Sequence, residues 1–502
     1  MKKMRKLLAV LMTLAMVMGM SLTSFAATKD STTITISGAE KATLTYIQVV
    51  EPDQTTVTGW KFSSSAIETA FINALKPENG TLTAQEAIAM LIKLADPAAT
   101  LEDSVKNVSA ATNAQFEKAL SDVVALGGLS KMDNPQTVSK AGIYAIKGTE
   151  EGYTYQVMAA YIGFGAVTIK NEDGTVSEYE YPSLVNAVIG AKKASTNITK
   201  ADNDADNAVA IGQRVKYTIT TTFPFFDPNA TNKSFKVLDN LTGAAYDCGE
   251  ADDNGFAVFN EAVVKIGSQY VTSDVKFKLV GDNGFEVDLS AYIDVENTKA
   301  NQTVTIEYYA YVEELTVTNT ASNNISGTVK NAEPINLYTG QITLLKYDVA
   351  DSTKAGLAGA GFNVTKAGLE GNLKFVGDNG VYTYAPTATE GYVTEVVTGT
   401  DGTVVVKGLD IGTYTFTEIT APKGYSINET PTEVELEIAD NGEAKDGVAI
   451  ALYADAGEMA DTKLNALPST GGIGTTIFTI GGCAIMIAAA YMFFVSRRRD
   501  EQ

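Results

Sequence analysis

The residues with the most chemical promise are two that ought not to carry charge where they stand. Lys346 closes the alternating run Ile342-Thr343-Leu344-Leu345-Lys346, and Glu418 sits in Tyr414-Thr415-Phe416-Thr417-Glu418-Ile419. Alternation of this kind marks half-buried strands. Both side chains therefore fall among apolar neighbours, where burial raises a carboxyl pKa and lowers that of an amine. A buried pair can then exist as a neutral amine beside a protonated acid. The amine becomes a nucleophile, and the acid can polarise a neighbouring carbonyl and shuttle protons. An Asn or Asp side chain on an adjacent strand would complete a set able to form an amide. A plain buried Lys–Glu ion pair is the other reading of the same two residues.

A second set lies near the C-terminus. Leu467-Pro468-Ser469-Thr470-Gly471 precedes an apolar run, Ile473 to Val495, and then Arg497-Arg498-Arg499. The run is long enough to cross a bilayer as a helix, which needs roughly 20 residues. The arginines would hold the extreme C-terminus in the cytoplasm. The pentapeptide resembles the LPxTG motif that sortases cut between Thr and Gly. That resemblance implies that Thr470 becomes an acyl-enzyme and is handed to an amine. At the other end, Lys2, Lys3, Arg5 and Lys6 precede an apolar stretch from Leu7 to Met20, and Ser24 and Ala26 are small. This reads as a secretory signal cut after Ala26. The mature chain is expected to be exported and tethered outside the membrane.

Composition narrows the chemistry. The 502 residues include no histidine, so the commonest general base and the usual zinc ligand are missing. Hydrolase triads and zinc enzymes are disfavoured; no enzyme activity, metal or cofactor is expected. A formal net charge of -22 argues against nucleic acid, whose phosphates call for a basic surface. Of the two cysteines, Cys483 lies in the membrane run and Cys248 in the exported part, where they could not pair after sorting. An exported chain without disulfides must resist unfolding in some other way.

The elements that must position these groups read as all-β. Period-two runs recur at Thr33-Ile34-Thr35-Ile36, Val215 to Ile219, Val304 to Tyr308 and Val434 to Ile438. Asp282-Asn283-Gly284 and Asp378-Asn379-Gly380 mark hairpins. One stretch, Ser64 to about Leu126, is Ala-rich and helix-like, with Thr83-Ala84-Gln85-Glu86 as a capping box. Tandem β-sandwiches are expected: after a signal peptide at 1–26, an N-terminal domain with a helical insertion at 27–190. A second sandwich follows at 191–336, a third at 337–463, and the sorting signal with its membrane helix and basic tail at 464–502. The polar residues from Ala191 to Asn207 read as a junction.

Two of these segments resemble known families. In the third, Leu345-Lys346-Tyr347-Asp348 and Tyr414-Thr415-Phe416-Thr417-Glu418-Ile419-Thr420-Ala421-Pro422-Lys423-Gly424-Tyr425 resemble the first strand and the E-box of collagen-adhesin B-type (CnaB) domains. That resemblance implies an amide from Lys346, with Glu418 as proton shuttle. Its partner is Asp461 of Asp461-Thr462-Lys463, where the family commonly has Asn, or alternatively Asn465. In the second, Lys200, the run from Ile211 to Ile219, Phe235-Lys236-Val237-Leu238-Asp239 and Thr318-Asn319-Thr320-Ala321 resemble the isopeptide-forming fimbrial domain of pilin backbones. It implies a Lys200–Asn319 bond with Asp239 as shuttle, and Lys192 and Lys193 as competing amines. The first segment has Tyr46-Ile47-Gln48-Val49 where bonded relatives carry lysine; Lys41 with Asn186 is the conceivable pair there.

These resemblances imply Ig-like, Cna-type sandwiches in a structural protein: the shaft subunit of a covalently polymerised pilus on a Gram-positive-type wall. Its partners would be sortases, identical subunits, peptidoglycan, tip or base pilins and host surface molecules. Such a subunit needs an acceptor lysine for the preceding subunit's Thr carbonyl. The "YPK" site of pilin backbones reads Tyr181-Pro182-Ser183 here, so Lys193, with Lys192 beside it, is the candidate. A wall-anchored monomeric adhesin or minor base subunit is the alternative.

Overall fold

The computed structural model describes residues 31–78, 80–170, 176–438, 452–454, 457–464 and 474–499. It divides into two compact units, 1–206 with 214–337, and 207–213 with 338–502.

In the first unit, residues 32–190 build two larger sheets, a two-stranded sheet of Phe164–Lys170 with Val176–Leu184, and a helical layer. Strand Thr32–Ser37 buries Ile34 and Ile36 by alternation and lies between Ala187–Gly190 and Gln136–Val138. A second sheet runs Trp60–Phe62, Thr43–Pro52, Gly142–Thr149, Met158–Ile162, with Ser130–Met132 also on Thr43–Pro52. The expected helical stretch is three helices, Ser65–Leu75, Ala84–Ala95 and Asn113–Ala125. Thr83 and Glu86 form the expected capping box, satisfying the helix's orphan N–H groups. A second box, Thr112 with Gln115, starts the third helix. The first helix places Ile67, Phe71 and Leu75 four apart on one buried face.

Residues 198–337 form two further sheets. One runs Ile198–Asp202, Arg214–Thr222, Thr303–Val312, Val263–Ile266, Gln269–Tyr270. The other centres on Phe235–Thr242, flanked by Gly284–Asp288 and Thr316–Ile325. Strict alternation in Arg214–Thr222 turns Val215, Tyr217 and Ile219 inward. The hairpin expected at Asp282-Asn283-Gly284 joins Phe277–Val280 to Gly284–Asp288. The stretch read as a polar junction contains two short strands. Lys193–Ser195 pairs with Tyr153–Tyr155, and Ile198–Asp202 with Arg214–Thr222. An edge strand can point polar residues outward, as it does Thr199.

The second unit faces two five-stranded sheets. The first runs Phe375–Asp378, Val381–Tyr384, Thr403–Leu409, Gly340–Asp348, Gly457–Asp461; the second runs Glu395–Val397, Gly361–Lys366, Gly412–Thr420, Thr432–Ile438, Leu452–Ala454. Ile342, Leu344, Phe362, Phe375, Val404, Val406 and Phe416 are among the core residues between them. The Asp378-Asn379-Gly380 hairpin has φ +46° at Asn379 and +84° at Gly380, the left-handed pair that a tight two-residue turn requires. The strand carrying Lys346 pairs in parallel with Gly457–Asp461, so the sandwich's first and last strands are neighbours. Helix Gly474–Arg499 contains Phe478–Val495, a stretch of mean hydropathy 2.0 long enough to cross a membrane.

Candidate functional site

Two of the sheet pairs, those of residues 198–337 and of the second unit, each enclose a buried lysine. In the first unit, Lys200 comes from the edge strand Ile198–Asp202, while Asp239 and Asn319 lie on adjacent strands of the facing sheet. Asp239 stands opposite Ala321, and Leu241 opposite Asn319, so carboxyl and amide share the inner face two residues apart. The side chains of Lys200 and Asp239 are completely buried, and Lys200 Nζ touches Asp239 Oδ2. Burial pushes the Lys200 amine down to about 8 against the opposing pull of Asp239, and raises the Asp239 carboxyl.

Three tyrosines close this site. Lys200 Nζ donates to the Tyr308 hydroxyl at 2.7 Å, and Asn319 Nδ2 donates to the same oxygen at 2.8 Å. Tyr308 donates in turn to Asp239 Oδ1 at 2.8 Å, and Tyr246 donates to that same Oδ1 at 2.9 Å. Lys200 Nζ also lies 5.4 Å from the ring centre of Tyr217 and 5.2 Å from that of Tyr308. The Asn319 carbonyl oxygen is buried with no hydrogen-bond partner. Sequence reasoning named Lys200, Asp239 and Asn319 but missed all three tyrosines. Their signal was present: Tyr217 and Tyr308 occupy inward positions of alternating strands and face each other in register.

In the second unit, Lys346 on Gly340–Asp348, Glu418 on Gly412–Thr420 and Asp461 at the end of Gly457–Asp461 come together, all with fully buried side chains. Lys346 Nζ is 3.0 Å from Glu418 Oε1 and in contact with Asp461 Oδ1. None of these three atoms is aligned as a hydrogen bond. Burial raises the Glu418 carboxyl, partly opposed by the Asn428 N–H, which donates to Glu418 Oε2 at 2.6 Å. Asn428, which the sequence did not mark, also donates through Nδ2 to the Ala460 carbonyl at 2.9 Å, bracing the strand end that carries Asp461. Both clusters place an amine, a buried acid and an Asn or Asp side chain within one apolar site, the ingredients of amide formation.

Residues 31–190 hold nothing comparable: no described lysine there is buried. Gln48 donates to the Ala141 carbonyl at 3.0 Å, and both Lys41 and Asn186 are exposed. The expected acceptor Lys193 is less open than anticipated. Its side chain is 22% exposed, its Nζ lies 2.7 Å from Glu150 Oε2, and it sits 4.2 Å from the Tyr153 ring centre. Lys192 is 36% exposed and 3.3 Å from Glu117 Oε1. The segment 1–26, Asn465, and Leu467, Pro468, Ser469, Thr470 and Gly471 lie outside the described residues.

Comparison with known proteins defines the class first. Residues 340–448 match the SpaA prealbumin-like fold domain, and residues 461–501 match the LPXTG cell wall anchor motif. The chain is a cell-wall-anchored surface protein with a prealbumin-like domain before its anchor. Among particular proteins, it is 23% identical over 449 residues to the trypsin-resistant surface T6 protein of Streptococcus pyogenes serotype M6, covering 71% of this chain and 78% of that one. Similar solved structures include the T6 backbone pilin of S. pyogenes (TM-score 0.47, 15% identity), covering 88% of this chain and all of that one. The full-length major pilin SpaD of Corynebacterium diphtheriae is another (TM-score 0.43, 16% identity), covering 87% of this chain and 98% of that one.

Proposed function

We propose that this chain is the shaft subunit of a covalently polymerised, wall-anchored pilus, with segments 27–190, 191–336 and 337–463 as its three domains. The observation that carries the proposal is the pair of buried lysine clusters, each tying an opening strand to a closing strand in a chain that ends in a wall anchor. Lys200 forms an amide with Asn319 and releases ammonia, with Asp239 as proton acceptor. Lys346 forms an amide with Asp461 and releases water, with Glu418 as the acid. Pull applied along the subunit then passes through covalent bonds near the domain ends rather than through the hydrogen-bonded core. Such bonds would also give this chain the protease resistance that names its streptococcal relative.

Sortase joins Thr470 of one subunit to an amine of the next, and finally to peptidoglycan. Lys193 is the proposed acceptor, with Lys192 beside it. Thr470→Ala should remove the protein from purified wall material. Lys193→Ala combined with Lys192→Ala should collapse the high-molecular-weight ladder on denaturing gels to monomer while wall attachment persists. A wild-type strain with its sortases present and no ladder would instead leave a monomeric wall-anchored adhesin.

A further inference from the structure

The two protons that must move when Lys200 condenses with Asn319 do not have the same carrier. Asp239 contacts the amine, but among the described hydrogen bonds none joins Asp239 to the Asn319 amide. The group that touches both reacting nitrogens is the Tyr308 hydroxyl, 2.7 Å from Lys200 Nζ and 2.8 Å from Asn319 Nδ2. A phenol oxygen offers two lone pairs and one proton. Here the lone pairs receive the two nitrogens and the proton goes to Asp239 Oδ1, so every valence is used.

We infer that Tyr308 is a further catalytic residue of this domain, passing a proton from the attacking amine to the departing amide nitrogen. This rests on the proposed Lys200–Asn319 bond. First the Lys200 ammonium gives one proton to Asp239, leaving a neutral amine beside a neutral acid. Nζ then attacks Asn319 Cγ, and the carbonyl electron pair moves onto the buried oxygen. The amide nitrogen becomes tetrahedral and gains a basic lone pair. The Tyr308 hydroxyl turns its proton from Asp239 to that nitrogen and takes a proton from Nζ in the same movement. The Cγ–Nδ2 bond breaks, the carbonyl re-forms, and ammonia leaves. The five protons initially on the two nitrogens end as one on the new amide, three on ammonia and one on Asp239. Tyr308 is unchanged and never needs to ionise. Burial and the neighbouring Asp239 hold its pKa well above the ordinary phenol value, which suits a relay and not a base.

The test is the rate at which unreacted ectodomain, recovered from inclusion bodies and refolded by dilution, loses the mass of one ammonia. Tyr308→Phe keeps the ring and removes the relay, and should slow the loss by roughly a hundredfold or more. Tyr246→Phe removes the other hydroxyl on Asp239 Oδ1 but touches neither nitrogen, and should slow it far less. Equal slowing in both variants, or a wild-type rate in Tyr308→Phe, overturns the relay. Water loss from the Lys346 cluster in the same molecules checks the refolding conditions, and resistance of residues 198–337 to limited proteolysis checks that the variant's own domain has folded. Should Tyr308→Phe not fold, the wild-type rate in mixtures of H2O and D2O decides. Two protons in flight give a curved dependence on deuterium fraction, and a straight line overturns the proposal. If wild-type protein loses no ammonia at all, it is the bond that fails, not the relay.

Discussion

Lys200 and Lys346 are buried to the same degree, yet they are solvated by different things. Lys200 meets one carboxylate and a neutral amide, and tyrosine hydroxyls supply the remaining polar contacts. Lys346 meets two carboxyls, and among the described hydrogen bonds a backbone N–H, that of Asn428, completes the site. The first cluster balances its charge with its amide neutral. The second carries one carboxyl too many, so one of its acids must hold a proton. Raising Glu418 by burial does this. An Asp partner thus brings its own acid requirement, while an Asn partner needs a separate donor for its leaving nitrogen. Residues 31–190 provide the baseline. They pack helices and strands around an apolar core, and among the described residues there the buried polar ones, Thr32, Ser121 and Gln156, are uncharged. Among the described residues, the lysines with fully buried side chains are the two that stand in these clusters.

The largest effect that separates the two clusters should come from removing the lysines. Lys346→Ala strands Glu418 and Asp461 without a cation and loses an amide that closes a loop of more than a hundred residues. Leaving a buried carboxylate uncompensated costs about 3–5 kcal/mol. Losing the loop constraint costs roughly 4–5 kcal/mol. Together they rival the whole stability of a domain, so the third domain should be unfolded and digested by trypsin. Lys200→Ala loses a bond of similar span, but Asp239 keeps the hydroxyls of Tyr246 and Tyr308. Its domain should remain folded and be weakened by about the loop term alone. Urea titration with limited proteolysis checks this, and equal losses in the two variants would break the distinction.

A smaller effect concerns the pH at which the bonds form. At the Lys200 site, ammonium with carboxylate and amine with acid contain the same number of protons. Bond formation there should be flat across neutrality up to about pH 8, where burial places the lysine. At the Lys346 site there is one carboxyl more than the amine can match, and burial raises Glu418. The Glu418 proton leaves as pH rises through its elevated pKa. Water loss should therefore slow with rising pH while ammonia loss in the same refolding chain does not. Parallel profiles for the two masses would show that the extra carboxyl has no role.

Much of this was legible before any coordinates. Period-two alternation decides which side chains face inward, so the inward placement of Lys346 and Glu418 could be read off their neighbours. The Thr83 box could be read because a cap is a local pattern. Tyr308 could not, because an inward tyrosine looks like ordinary core until another sheet supplies Lys200 and Asp239. Asn428 could not, because its contribution to Glu418 is a backbone N–H, which any residue but proline carries. The strands at Lys193–Ser195 and Ile198–Asp202 were hidden by polar residues that an edge position tolerates.

The finest test exchanges the one atom that distinguishes the clusters' partners. Asp461→Asn gives the Lys346 site a neutral amide, as at Lys200, and removes its surplus acid. Condensation then releases ammonia where the wild type releases water. The cross-link left behind is the same in both cases, Lys346 Nζ bonded to the side-chain carbonyl at position 461. Wild type and variant should therefore end at the same intact mass and melt at the same temperature, although their unreacted precursors differ. Only the route should change. The variant's pH profile should flatten, and its rate should fall, because no hydroxyl bridges Lys346 to the new amide as Tyr308 does for Lys200. A final mass that still differs once both proteins have each lost a small molecule from this domain would mean that position 461 is not the partner. The bond should then be sought at Asn465 by peptide mapping.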